Sequence, residues 1–175
     1  MLIPTPKSLD KVTNSVRIAW AFRSLTKDSY AEKLLDQHTT DTAVVGCIDF
    51  RFREHFPKAI ADTFGITEFD DIRLAGAAGN LVLFGDERRD ILLADLELAV
   101  SAHKVQRIVL LGHQACGKYG SCGHTFTEPT AEEAFHADTL KKAQMLLKEK
   151  FPSVEVLLGF TAVADDDTVV IRKVS

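Results

Sequence analysis

The chain has 175 residues, 46% of them apolar and 26% charged, which is the length and composition of one folded domain and excludes a disordered chain. Its 21 basic and 25 acidic residues leave a net charge of −4 without a long basic run, so nucleic-acid and anionic-membrane binding have no electrostatic support. No apolar run approaches the roughly 20 residues of a membrane span. The opening Met1-Leu2-Ile3-Pro4-Thr5-Pro6-Lys7 lacks the pattern of a secretion signal, so the expected location is cytoplasmic. Three cysteines are too few for a disulfide scaffold in a chain of this length and are better suited to metal binding or catalysis.

The expected organisation is a single domain over residues 1–175, with a helical N-terminal arm over 1–40 and an α/β core over 41–175. In the arm, Val12, Val16, Ala19 and Trp20 recur at helical spacing, and a second helix is expected from Ser29 to Gln37. Short helices of this kind need something to pack on, and a second subunit would serve. Ala43-Val44-Val45-Gly46-Cys47-Ile48 has the apolar, β-branched character of a strand buried on both faces. A helix is expected over about Arg53 to Phe64, then a strand at Asp71-Ile72-Arg73-Leu74, which leads into the small-residue turn Ala75-Gly76-Ala77-Ala78-Gly79-Asn80.

Glu87 to Lys104 is the best helix in the sequence, with Leu92, Leu93, Leu96, Ala99 and Val100 on its apolar face. Arg107 to Gly112 reads as another buried strand, followed by a glycine-rich, solvated loop to Gly123. Thr130-Ala131-Glu132-Glu133 has the spacing of a capping box opening a helix with Leu140, Ala143 and Leu147 inward. Strands over Val154 to Phe160 and Thr168 to Val174 flank the acidic turn Asp165-Asp166-Asp167. Strands alternating with helices in this way define an α/β fold with a mostly parallel central sheet flanked by helices. In such sheets ligands gather beyond the carboxyl ends of the strands, where both Cys47 and His113 fall.

Two constellations therefore carry the chemistry: Cys47-Ile48-Asp49-Phe50-Arg51 at one strand exit, and His113-Gln114-Ala115-Cys116 at another. If the two strands are neighbours, two thiols and an imidazole converge. Zinc suits that mixed sulfur and nitrogen set, and three protein ligands leave a fourth position open to water. Asp49 and Arg51 share one side of an extended segment, so the guanidinium can hold the carboxylate ionised and oriented. A lone buried cysteine is ordinarily a small core residue, but the two motifs together favour a metal. A rival reading takes Cys47 and Arg53 as the C-x(5)-R loop of tyrosine phosphatases. That loop here has no glycine, contains Asp49, which repels phosphate, and leaves His113 and Cys116 unused.

These motifs, with the Ala78-Gly79-Asn80 turn and the helix segment Asp95 to Val100, resemble those of the β-class carbonic anhydrases from Thr42 to the C-terminus. The resemblance implies a zinc-dependent lyase that interconverts carbon dioxide and bicarbonate through a zinc-bound hydroxide. Cys47, His113 and Cys116 would be the zinc ligands. Asp49 and Arg51 would be the catalytic dyad, with Asp49 either accepting from zinc-bound water or occupying the fourth position. It also implies a homodimer or a multiple of dimers, with the N-terminal helices across the partner. Carbonyl sulfide or carbon disulfide hydrolysis on the same scaffold is an alternative, as is a non-catalytic zinc-binding protein.

The sequence departs from the family pattern in three places. Gly76-Ala77 stand where the family turn has Arg-Asn. Phe50 occupies a position that is often small, where it would narrow the pocket or enter the core. Lys118, Cys122 and His124 lie in the loop after Cys116 as possible extra cation or ligands, although a plain solvated loop explains them more simply. His38, His55, His103 and His136 are expected to be surface or packing residues.

Overall fold

The computed structural model describes residues 37–175, of which Thr39–Ser175 form one compact unit. Residues 37–40 carry no regular structure, and the helices expected before them lie outside the described residues. The five strands are β1 (Thr42–Gly46), β2 (Asp70–Arg73), β3 (Arg107–His113), β4 (Glu155–Val163) and β5 (Val169–Lys173). They form one sheet in the order β2-β1-β3-β4-β5, parallel except for the antiparallel β4–β5 pair. The mostly parallel α/β architecture expected from the sequence is therefore the one observed. Among the described residues no helix is long and apolar enough to cross a membrane.

Both faces of the sheet are covered, which is why its central strands read as continuous apolar runs. Ala43, Val45, Ile108, Leu110, Val156 and Leu158 point to one side, against Leu92 and Leu96 of α4 (Asp86–Ser101) and Leu140 and Leu147 of α6 (Pro129–Lys150). Val44, Val109 and Leu111 point to the other, against Phe52 of α1 (Phe50–Arg53) and Phe56 and Ile60 of α2 (Phe56–Phe64). The short helices α3 (Gly79–Val82) and α5 (Gly117–Ser121) lie in the connections after β2 and β3.

Three local expectations are corrected. The helix expected from Arg53 is two helices, because Pro57 in the first turn of α2 supplies no N–H to continue the run from α1. The capping box at Thr130 does not form: Pro129 starts α6 two residues earlier than that cap would, Glu128 is the N-cap without a side-chain bond, and Glu133 pairs with Arg172 at 2.6 Å. The glycine-rich segment after Cys116 is not wholly a solvated loop, since it winds into α5 and buries Tyr119.

Candidate metal centre

Strands β1 and β3 are direct neighbours, with Val45 opposite Leu110, so their exits lie side by side. Cys47 leaves β1 one residue after its end, His113 ends β3, and Cys116 follows in a turn that precedes α5. All three are buried, and their ligand atoms lie within 4.8 Å of one another. The two sulfurs are 4.0 Å apart. Among the described residues this is the group of histidine, cysteine and carboxylate side chains able to hold a metal ion, and it is the trio expected from the sequence.

The imidazole is held by one of its nitrogens. Its Nδ1 lies 2.9 Å from the Gln114 carbonyl, to which it donates in the neutral tautomer. Nε2 is thereby left as the lone-pair nitrogen, buried and without a hydrogen-bond partner. Phe52 packs against the ring with centroids 5.0 Å apart. The Cys116 S–H beside it draws the Cys47 thiol below its usual range, against the pull of burial, and the Gly76 amide adds to the effect. Cys116 is pushed up by the same pairing and by burial. Two sulfurs and an imidazole nitrogen grouped in this way could hold a metal ion.

Asp49 and Arg51 meet by a different local geometry from the extended one expected. Asp49 is the N-cap of α1 and accepts the Arg51 backbone N–H at 3.1 Å. The guanidinium closes a fork onto the same carboxylate, Nε to Oδ1 at 2.9 Å and Nη2 to Oδ2 at 2.6 Å. This grip holds the Asp49 carboxyl at about 2, below the usual range. Arg51 also donates to the Ala115 carbonyl at 2.9 Å, which ties the first motif to the second.

The turn Ala75 to Asn80 completes the surroundings. Gly76 donates its N–H to Cys47 Sγ at 3.4 Å. Its φ of +83° and the Phe84 ring and Lys118 stem packed over it leave no room for the arginine of the family pattern. Arg88 supplies a guanidinium from α4 instead, donating to the Ala75 carbonyl at 3.2 Å and to the side-chain oxygen of Asn80. Asn80 is fully buried and donates to the Ala75 and Ala77 carbonyls at 3.1 and 2.7 Å.

The remaining expected candidates do not join the centre. Cys122 is exposed, His124 packs on Phe135, and Lys118 lies over the Phe84 ring with its ammonium 4.9 Å from the centroid. Phe50 neither narrows the site nor enters the core, being 82% exposed. His103 pairs with Asp70 at 2.8 Å, while His136 is a packing residue in a buried aromatic group with Tyr119 and Phe160. Arg88 and Glu132, whose carboxylate accepts the Ala115 N–H at 2.8 Å, have no signal in the sequence that marks them for this site. They act through backbone groups or lie far along the chain, and neither relation has a signature in residue spacing.

With this geometry in place, comparison with known proteins assigns the class. Residues 37–170 match the family described as "Putative carbonic anhydrase", and the chain belongs to that family. A carbonic anhydrase from Streptococcus mutans shares the fold at a TM-score of 0.51 and 17% identity, with both chains covered completely. The β-carbonic anhydrase isoform TvaCA1 of Trichomonas vaginalis does so at 0.50 and 18%, over 96% of this chain and 97% of that one. An uncharacterized protein of Rickettsia conorii, RC0076, is 29% identical over 142 residues, 77% of this chain and 75% of its own length.

Proposed function

We propose that the protein is a zinc-dependent carbonic anhydrase, with Cys47, His113 and Cys116 as the metal ligands and Asp49 and Arg51 as the dyad beside them. The observation that carries this reading is the buried, unpartnered Nε2 of His113 facing two sulfurs 4.0 Å apart. Two sulfurs at about 2.3 Å from a tetrahedral zinc stand roughly 3.8 Å apart, so the donor set fits that ion with little rearrangement. Held by these three residues, zinc would supply the Lewis acidity that hydration of carbon dioxide requires.

The protein's own groups support an open fourth position. Both Asp49 oxygens are engaged by Arg51, so the carboxylate is held at the rim as an acceptor for an incoming O–H and does not compete as a ligand. Arg51, anchored to the Ala115 carbonyl, fixes the direction in which Asp49 accepts. Ile48 and Phe50 flank Asp49 with 63% and 82% exposure, which supports a second copy of the chain covering this rim. Sedimentation of the Phe50→Ser variant checks that part, with a shift toward monomer expected.

Stopped-flow hydration of carbon dioxide from pH 6.5 to 9, on protein assayed for zinc, tests the reading. Zinc-dependent activity that rises with pH is the expected result. Full zinc occupancy without hydration at any pH would sink the assignment and turn attention to carbonyl sulfide and carbon disulfide.

A further inference from the structure

Ala115 lies inside the H-x-x-C turn in the left-handed region, with φ +54°, where a residue bearing a Cβ is uncommon. Its two backbone groups bond in different directions. The carbonyl accepts Arg51 Nη2 at 2.9 Å, and the N–H donates to Glu132 Oε1 at 2.8 Å. Glu132 reaches this amide from the first turn of α6 and is only 9% exposed. His136 Nε2 is 3.9 Å from the same oxygen, beyond hydrogen-bond range.

A buried carboxylate is therefore committed to one amide of the turn, and the carbonyl of that same residue anchors Arg51. We propose that Glu132 is a positioning residue for the Asp49–Arg51 dyad: by holding Ala115 in its left-handed conformation, it aims the Ala115 carbonyl at Arg51 and so fixes the orientation of Asp49. The role in catalysis rests on the carbonic anhydrase reading above, while the geometric link does not. Glu132 touches neither metal ligand atoms nor substrate, so its loss should act on the dyad and leave the metal in place.

The experiment compares Glu132→Gln, which keeps an acceptor oxygen, with Glu132→Leu, which keeps the volume without one. Three readouts are taken on the full chain: zinc affinity, the kcat and KM of carbon dioxide hydration, and solvent exchange of the Arg51 Nε–H in NMR spectra, with the signal assigned by its loss in Arg51→Lys. The expected result for Glu132→Leu is a roughly tenfold lower kcat with little change in KM or zinc affinity, and an Arg51 Nε–H that exchanges several-fold faster. Glu132→Gln should restore both kcat and protection to within about threefold of the parent.

Unchanged Arg51 exchange in Glu132→Leu overturns the proposal, as does a Gln variant as impaired as the Leu variant. A parallel loss of zinc affinity also overturns it, since the residue would then hold the whole turn and not the dyad. If the Leu variant does not fold, Glu132→Ser, too short to reach the amide, takes its place. Should the parent protein prove inactive toward carbon dioxide, the exchange measurement still decides the positioning link, so the two failures are distinguishable.

Discussion

Gly76 donates its backbone N–H to the sulfur of Cys47 from a conformation, φ +83°, that a residue with a side chain rarely adopts. The Gly76→Ala variant must either leave that conformation or push its methyl into the Phe84 ring and to within 2.8 Å of the Lys118 stem. The left-handed backbone alone costs about 1–2 kcal/mol in a residue with a Cβ. We expect urea unfolding to show a loss of at least that size, together with weaker zinc binding as the amide moves off the thiolate. A variant as stable as the parent would mean that the turn re-forms around the methyl.

Thiol reactivity distinguishes the three cysteines. Cys47 and Cys116 are buried and lie in the candidate metal cluster, whereas Cys122 is exposed and outside it. On zinc-loaded protein an aromatic disulfide reagent should titrate one thiol rapidly, and removal of metal by a chelator should bring the other two into reaction. In Cys122→Ser the fast phase should vanish from the loaded protein. Rapid reaction of all three cysteines with zinc present would speak against thiolate ligation at this site.

Much of this arrangement was legible in the sequence because it rests on local pattern. Val44, Val45, Val109 and Leu110 lie in the short apolar, β-branched runs typical of a strand covered on both faces, and Cys47 and His113 of the candidate site fall at the strand ends. The Asp49–Arg51 contact was legible from spacing, but its form was not: an N-cap and an extended strand both bring residues i and i+2 together. Pro57 and Pro129 moved helix boundaries by one or a few residues because proline's missing N–H is tolerated in a first turn. The contacts of Arg88 with Ala75 and of Glu132 with Ala115 span 13 and 17 residues and end on backbone atoms, so no side-chain pattern announces them.

Arg88 brings a guanidinium from α4 to the turn at Ala75 to Asn80. Its Nη2 bonds the Ala75 carbonyl and its Nε the side chain of the buried Asn80. Arg88→Met keeps most of the stem volume and removes both donors, leaving the Asn80 oxygen without its partner. Hydrogen bonds involving a charged group contribute about 1.5–3 kcal/mol each and two are lost, so a loss of at least about 3 kcal/mol in urea unfolding is expected, with reduced zinc affinity through the loosened Gly76 amide. Unchanged stability would show that Asn80 alone holds the turn.

Asp49→Ala separates an enzyme from a zinc-binding protein without turnover. Positioned acid–base groups contribute about 10²–10⁴-fold to rate, so the variant should lose at least about a hundredfold in hydration while retaining stoichiometric zinc. Arg51 holds the Asp49 carboxyl at about 2, so it stays ionised throughout the assay range. The parent pH–rate profile should therefore show no acidic limb from Asp49 above about pH 4. A zinc-replete variant with parental activity would remove Asp49 from the dyad.

His136 sets an acid limit on stability that is separate from chemistry at the metal. The ring is 1% exposed, neither nitrogen has a hydrogen-bond partner, and burial lowers it from 6.5 to about 4. His113 and His124 push in the same direction, and Cys47 opposes them. The depressed value means that the unfolded chain takes up a proton on His136 before the folded protein does. The neutral ring's contribution is therefore complete above about pH 7, falls as pH drops from 6.5 toward 4, and is lost below that. At pH 5 the expected loss is about 2 kcal/mol relative to pH 7. Urea unfolding of metal-free protein at the two pH values, for the parent and for His136→Phe, isolates this effect because other acid-sensitive groups are common to both. The stability advantage of the parent over the variant should shrink by about that amount at pH 5. An unchanged difference would mean that the ring is already protonated or solvated in the folded protein.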